Sequence, residues 1–122
     1  MFQLSIETHF SAAHRLREYQ GKCERLHGHN YRVEVVLCGE KLDRLGMLMD
    51  FQDGKGIVRD VVGRMDHQYL NEIPPFDKLN PTAEQVAKQI AEEMGARLPA
   101  GVRVASVTCW ESESCGARYI PD

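Results

Sequence analysis

Three observations predict an α+β fold: apolar residues alternate near the start of the chain and again after position 29, two helical stripes follow position 46, and alternation returns after position 102. The expected order is strand, strand, helix, helix, strand, strand. It implies an antiparallel four-stranded sheet with two helices packed on one face (ββααββ), in a single domain over residues 1–122. A chain of 122 residues, 43% hydrophobic and 27% charged, suits one such unit with a modest core.

From Phe2, the even positions Leu4, Ile6, Thr8 and Phe10 share one face of an extended segment, and Gln3, Ser5, Glu7 and His9 share the other. This is a half-buried strand, and its parity leaves His9 off the apolar face. A second strand runs from about His29 to Gly39, with Tyr31, Val33, Val35 and Leu37 alternating with Asn30, Arg32 and Glu34. The two form a long hairpin. Its connection, Arg15 to Arg25, is larger than a tight turn and is therefore available for function. After Gly46, the residues Phe51, Val58, Val61, Val62 and Met65 fall on a helical stripe that Asp50 is placed to cap, with Gly54 and Gly56 weakening its first turn. Asn71 to Asn80 carries Pro74 and Pro75 and must be irregular. The second helix sets Ala83, Val86, Ala87, Ile90, Ala91, Met94 and Leu98 along one face, with Thr82 and Gln85 as a capping box, and Pro99 and Gly101 end it. Closing strands follow over Val102–Glu111 and Gly116–Ile120, joined by a polar turn at Ser112–Cys115.

The formal charge is −3, and the 15 basic residues are scattered among 18 acidic ones, which argues against nucleic acid as the main partner. The first ten residues read as a strand rather than a signal peptide, and no stretch approaches the length of a membrane span. Four cysteines at irregular spacing, with no C-x-x-C pair, favour reduced thiols and a cytoplasmic location. Cys38 and Cys109 lie in strand patterns and behave as small core residues, and Cys115 falls in a turn.

The chemistry concentrates in His14 and in His27-Gly28-His29. Residues i and i+2 of a strand point the same way, so both imidazoles of the H-x-H can reach one ion, and His14 can supply a third ligand from the other arm of the hairpin. Three neutral imidazoles with an open fourth position describe a catalytic zinc site. Cys23, four residues before His27, could act as a thiolate base or nucleophile, or could close the site as a fourth ligand. Asp66-His67 can form a proton relay if something else orients it, or can be an ordinary helix-end pair. Glu111 shares the parity of Cys109 and Val107; its carboxylate could accept two N–H donors from a planar heterocycle, or be an exposed strand-end acid.

These residues resemble the 6-pyruvoyl-tetrahydropterin synthase and 6-carboxytetrahydropterin synthase family. The likeness runs through Phe10-Ser11-Ala12-Ala13-His14-Arg15-Leu16, Cys23 to Tyr31, Asp50-Phe51, Met65-Asp66-His67, Leu70-Asn71, Asn80-Pro81-Thr82-Ala83-Glu84 and Glu111. The resemblance implies a tunnelling fold assembled as a homohexamer, a dimer of trimers, with active sites at subunit interfaces. It makes His14, His27 and His29 the ligands of one zinc ion per chain, Cys23 the catalytic base, and Asp66 and His67 a second proton-transfer pair. Glu111 becomes the anchor for the guanidine-like edge of a pterin ring, with Thr82 as a further substrate contact. The implied substrate is 7,8-dihydroneopterin triphosphate, and Arg15, Lys22 and Arg25 are candidates to meet its phosphates.

Within the family, three residues between the cysteine and H-G-H resemble the branch that releases 6-carboxy-5,6,7,8-tetrahydropterin, acetaldehyde and triphosphate in queuosine (7-deazaguanine) biosynthesis; the animal pyruvoyl enzymes have a longer gap. Here Glu24-Arg25-Leu26 fill the short gap. Folate-related members carry a glutamate in this gap, so Glu24 is either a second catalytic acid or base giving 6-hydroxymethyl-7,8-dihydropterin, or a solvated loop acid. Two other classes make different demands. A structural zinc module requires Cys23 to complete a closed tetrahedral site, whereas a pterin aldolase or epimerase of the same fold is expected not to need the three histidines.

Overall fold

Two thirteen-residue strands, β1 (Phe2–His14) and β2 (His27–Gly39), pair in unbroken antiparallel register from Phe2 against Gly39 to His14 against His27. They belong to a computed structural model that describes residues 1–18 and 25–122. The hairpin arms extend four residues beyond Phe10 and two before His29. The reason lies in parity, because Ala12 and His14 continue the buried even face of β1 and His27 and His29 continue the odd face of β2. Each added residue also finds a ladder partner in the facing arm.

β2 is the central strand of the sheet. Tyr31, Val33, Val35 and Leu37 are fully buried on its inner face, and removing side chains of this size from water is worth about 1.5–3 kcal/mol each. Helix α1 (Phe51–Gly63) covers β1, with the Asp50 carboxylate accepting the Gln52 N–H at 2.8 Å. Gly54 is required where this helix crosses the strand, since a Cβ there would stand 2.6 Å from Ile6 Cδ1. The next segment adds a strand absent from the sequence expectation. β3 (Gln68–Tyr69) pairs in parallel with Ala12 and Ala13 of β1.

A 3-10 turn over Leu70–Glu72 and the proline-bearing stretch then lead to α2 (Ala83–Gly95), whose first turn is capped by Thr82 Oγ1 accepting the Gln85 N–H at 3.1 Å. Its buried stripe of Ala83, Val86, Ala87, Ile90, Ala91 and Met94 packs over β4 (Arg103–Trp110) and β5 (Gly116–Tyr119). The helix ends at Gly95, short of the expected Leu98, which packs partly buried against the core from the following turn. The strand order is β3-β1-β2-β4-β5. The sheet is therefore five-stranded and mixed rather than four-stranded and antiparallel. A two-residue strand is too short to show a period, and β3 exists only because β1 offers its open edge. Cys38 and Cys109 are buried free thiols, with burial pushing Cys109 up to about 12, so that it stays protonated and inert.

Candidate metal centre

At the end of the hairpin where its connection begins, the parity that builds the core carries three imidazoles onto its inner face. His14, His27 and His29 offer ring nitrogens that all lie within 4.8 Å of one another. His14 Nε2 stands 2.9 Å from His27 Nε2 and 3.1 Å from His29 Nε2. The outer nitrogens settle two of the tautomers. His14 Nδ1 lies 2.8 Å from the Pro81 carbonyl and His27 Nδ1 lies 2.7 Å from the Arg25 carbonyl, so each Nδ1 must carry the proton and donate it.

The two Nε2 atoms consequently face each other as lone pairs. Such a contact is repulsive unless a cation lies between them. On His14 and His29 a proton is disfavoured, because burial lowers the pKa of both from the ordinary 6.5. A divalent metal fits the donor set, since tetrahedral zinc with Zn–N bonds of about 2.0–2.1 Å places its nitrogens roughly 3.3–3.4 Å apart. His14, only 1% exposed, is further fixed by the Tyr31 hydroxyl 3.2 Å from its Nδ1.

Acid should undo this arrangement. With folded pKa values below the unfolded 6.5, His14 and His29 bind protons more weakly in the native state than in the unfolded chain. Stability of the chelator-treated protein is therefore expected to hold above that pH and to fall as pH drops below 6.5. Metal affinity should fall over the same range, because the ligands must stay neutral. Thermal melts with and without chelator between pH 8 and pH 5 check both statements.

Glu111 stands directly beyond β4, its N–H donating to the Cys115 carbonyl at 3.0 Å. One carboxylate oxygen is 3.8 Å from His29 Nε2, and the carboxylate lines a recess of about 360 Å³ with Leu16, Thr82, Glu84 and Cys115. Thr82 thus borders the recess although its hydroxyl oxygen is already engaged as the helix cap. A larger recess of about 580 Å³, lined by Glu40, Lys41, Leu48 and Arg103, lies at the far end of β2 from the histidines.

Asp66 and His67 occupy different ground. The Asp66 carboxylate accepts the Ser11 N–H at 2.9 Å and lies 3.0 Å from His67 Nδ1. The Ser11 hydrogen bond is the main cause of the lowered Asp66 pKa, with His67 adding to it. His67 adopts a left-handed backbone (φ 58°) that its N–H to Ser11 carbonyl bond helps to hold, and its side chain is 81% exposed. His67, but not Asp66, borders a second recess, of about 510 Å³, with Ser11, Ala13, Gly28 and Asn30, which belong to the helix-free parity of the hairpin. His29 borders this recess too, so within one chain it is the residue common to both surroundings. Arg15 and Arg25 are exposed near the hairpin end. Lys22, Cys23 and Glu24 lie outside the described residues. The Pro81 contact with His14 is not legible in the sequence, because a backbone carbonyl leaves no residue-type signal, and Tyr31 shows there only as a core position.

Three imidazoles with converging ring nitrogens, beside a carboxylate-lined recess, are the equipment of a metal-using enzyme. The comparison of sequences says which kind: residues 3–122 match the model of the 6-pyruvoyl tetrahydropterin synthase family, and the chain belongs to that family. It is 39% identical to the 6-carboxy-5,6,7,8-tetrahydropterin synthase of Bacillus subtilis, over 80% of this chain and 68% of the relative. It is also 37% identical to the dihydroneopterin monophosphate aldolase of Pyrococcus furiosus, over 88% of this chain and 87% of the relative. Among solved structures, the 6-pyruvoyl tetrahydropterin synthase of Caenorhabditis elegans superimposes with a TM-score of 0.89 at 28% identity, covering 99% of this chain and 96% of that one. Among the described residues, no helix is long and apolar enough to cross a membrane.

Proposed function

We propose that this enzyme is a carbon–carbon lyase that converts 7,8-dihydroneopterin triphosphate to 6-carboxy-5,6,7,8-tetrahydropterin, acetaldehyde and triphosphate, with one water consumed, in the cytoplasmic synthesis of 7-deazaguanine (queuosine) nucleosides. The observation that carries this proposal is the convergence of His14, His27 and His29 with Glu111 beside them, in a chain whose relatives include enzymes named for that product. His14, His27 and His29 would hold a zinc ion, which supplies Lewis acidity toward the hydroxyls of the substrate side chain.

The chain's own residues do the rest. Glu111 takes the guanidine-like edge of the pterin through two charge-assisted hydrogen bonds, with Thr82 at the recess wall. Cys23 and His67, the latter oriented by Asp66, take and return protons as the side chain is cleaved. Because the Asp66–His67 pair and the Glu111 recess are separate surroundings in one chain, a working site draws them together across subunits, in the homohexamer, a dimer of trimers, that the resemblance implies. Replacing Glu111 by alanine is expected to weaken pterin binding about 10- to 100-fold, as the loss of a charged hydrogen-bonding partner does, while metal content stays unchanged. Titration of a non-reactive pterin by fluorescence, with metal analysis alongside, checks this.

A second activity is favoured by one finding. An aldolase was expected to do without the three histidines, yet a relative bearing that name is 37% identical over most of the chain. Glu24 in the gap before H-G-H fits the same alternative, cleavage to 6-hydroxymethyl-7,8-dihydropterin and a two-carbon aldehyde. Mass spectrometry of the products from the triphosphate and the monophosphate of 7,8-dihydroneopterin decides between them. Carboxypterin and acetaldehyde from the triphosphate, retained in Glu24→Ala, support the proposal. Hydroxymethylpterin that depends on Glu24 would replace it with the aldolase.

A further inference from the structure

Beyond His14 the chain leaves the sheet, yet the backbones of Arg15 and Arg17 keep the alternate paired hydrogen bonds of an edge strand. Asn71 accepts the Arg15 N–H at 2.9 Å through Oδ1 and donates to the Arg15 carbonyl at 2.8 Å through Nδ2. Asn80 does the same two residues on, accepting the Arg17 N–H at 2.8 Å and donating to the Arg17 carbonyl at 3.0 Å. Each amide thus acts as a surrogate peptide of a neighbouring strand. The Arg17 guanidinium answers by donating to the carbonyls of Asn71, Phe76 and Leu79 at 3.3, 2.8 and 3.1 Å. Immediately after Asn80, the Pro81 carbonyl accepts His14 Nδ1–H. One irregular segment therefore grips the exit of β1 at two places, the backbone of Arg15–Arg17 and the ring of His14.

We propose that Asn71 and Asn80 are positioning residues for the reaction. Their paired hydrogen bonds lock the 70–81 segment against the end of β1, and that lock aims His14 through Pro81. The proposal rests on the assignment of His14 as a metal ligand. An asparagine at each position is needed for its geometry, because only an amide supplies one acceptor and one donor side by side. Aspartate keeps the shape and the acceptor but presents an oxygen to the carbonyl, leaving it without its donor.

The test uses the full-length protein loaded with cobalt(II) in place of zinc, comparing the parent chain with Asn71→Asp, Asn80→Asp and, as a milder change on the partly exposed side of the clamp, Arg17→Gln. Expected are folded variants with a shifted visible cobalt spectrum, metal affinity reduced roughly 10- to 100-fold by chelator competition, and kcat lowered by a similar factor with KM near its parent value, the scale seen when outer partners of metal ligands are lost. A lower melting temperature with spectrum, affinity and kcat all unchanged would mean a merely structural role and overturn the proposal. If the asparagine variants do not fold, Arg17→Gln carries the same expectation and the same refutation. Cobalt spectra and affinity do not depend on the substrate, so a parent protein with no pterin turnover would refute the proposed reaction while leaving the clamp tested.

Discussion

Replacing His14 by alanine is expected to leave the protein essentially without metal and without turnover. His14 supplies the nitrogen common to both short contacts of the triad, 2.9 Å to His27 and 3.1 Å to His29. With two imidazoles left, the site has fewer ligands than either a structural or a catalytic zinc centre requires. Affinity should drop by well over the roughly 10- to 100-fold that follows from losing a supporting partner alone. Burial adds a second cost: the ring is 1% exposed, so its removal leaves a void and strips the Pro81 carbonyl of its donor. Metal analysis and chelator competition measure the first effect, and thermal melting of the metal-free forms isolates the second. A variant that binds metal as tightly as the parent would remove His14 from the ligand set.

Replacing Cys23 by alanine is expected to reduce turnover by about 10²- to 10⁴-fold, the contribution typical of a positioned acid or base, with one metal retained per chain. The combination matters more than either number. If Cys23 were a fourth ligand, its loss would release the metal, and the three histidines would belong to a closed structural site. If it is the base, the metal stays while the chemistry stops. Alkylation of the intact protein makes the same distinction without mutagenesis, provided that Cys115, the exposed cysteine among the described residues, is first replaced by serine.

The two strands of the hairpin, both helix caps and the inward parity of the H-x-H are local facts. A strand repeats every two residues and a helix every 3.6, so Tyr31, Val33, Val35 and Leu37 declare their face without reference to the rest of the chain. The same parity rule, continued past the last apolar residue, brings His27 and His29 to one side, and the hairpin register then sets His14 directly opposite His27. Asp50 and Thr82 cap their helices as their residue types require. In these respects the amino-acid sequence by itself determined the α+β framework, the candidate metal ligands and, through motif likeness, the family.

What it left undetermined depends on partners more than fifty positions away. Two-residue β3 has no period of its own and forms only against the free edge of β1. Whether Asp66 and His67 face the Glu111 recess could not be read from their adjacency, because Ser11, fifty-five residues earlier, accepts and donates the hydrogen bonds that turn them onto the helix-free parity. The Pro81 carbonyl on His14 and the two asparagine clamps join groups separated by 56 to 67 positions. Backbone carbonyls and amides are common to every residue, so local sequence carries no mark of which of them will meet; only closure of the tertiary structure brings them within hydrogen-bonding distance.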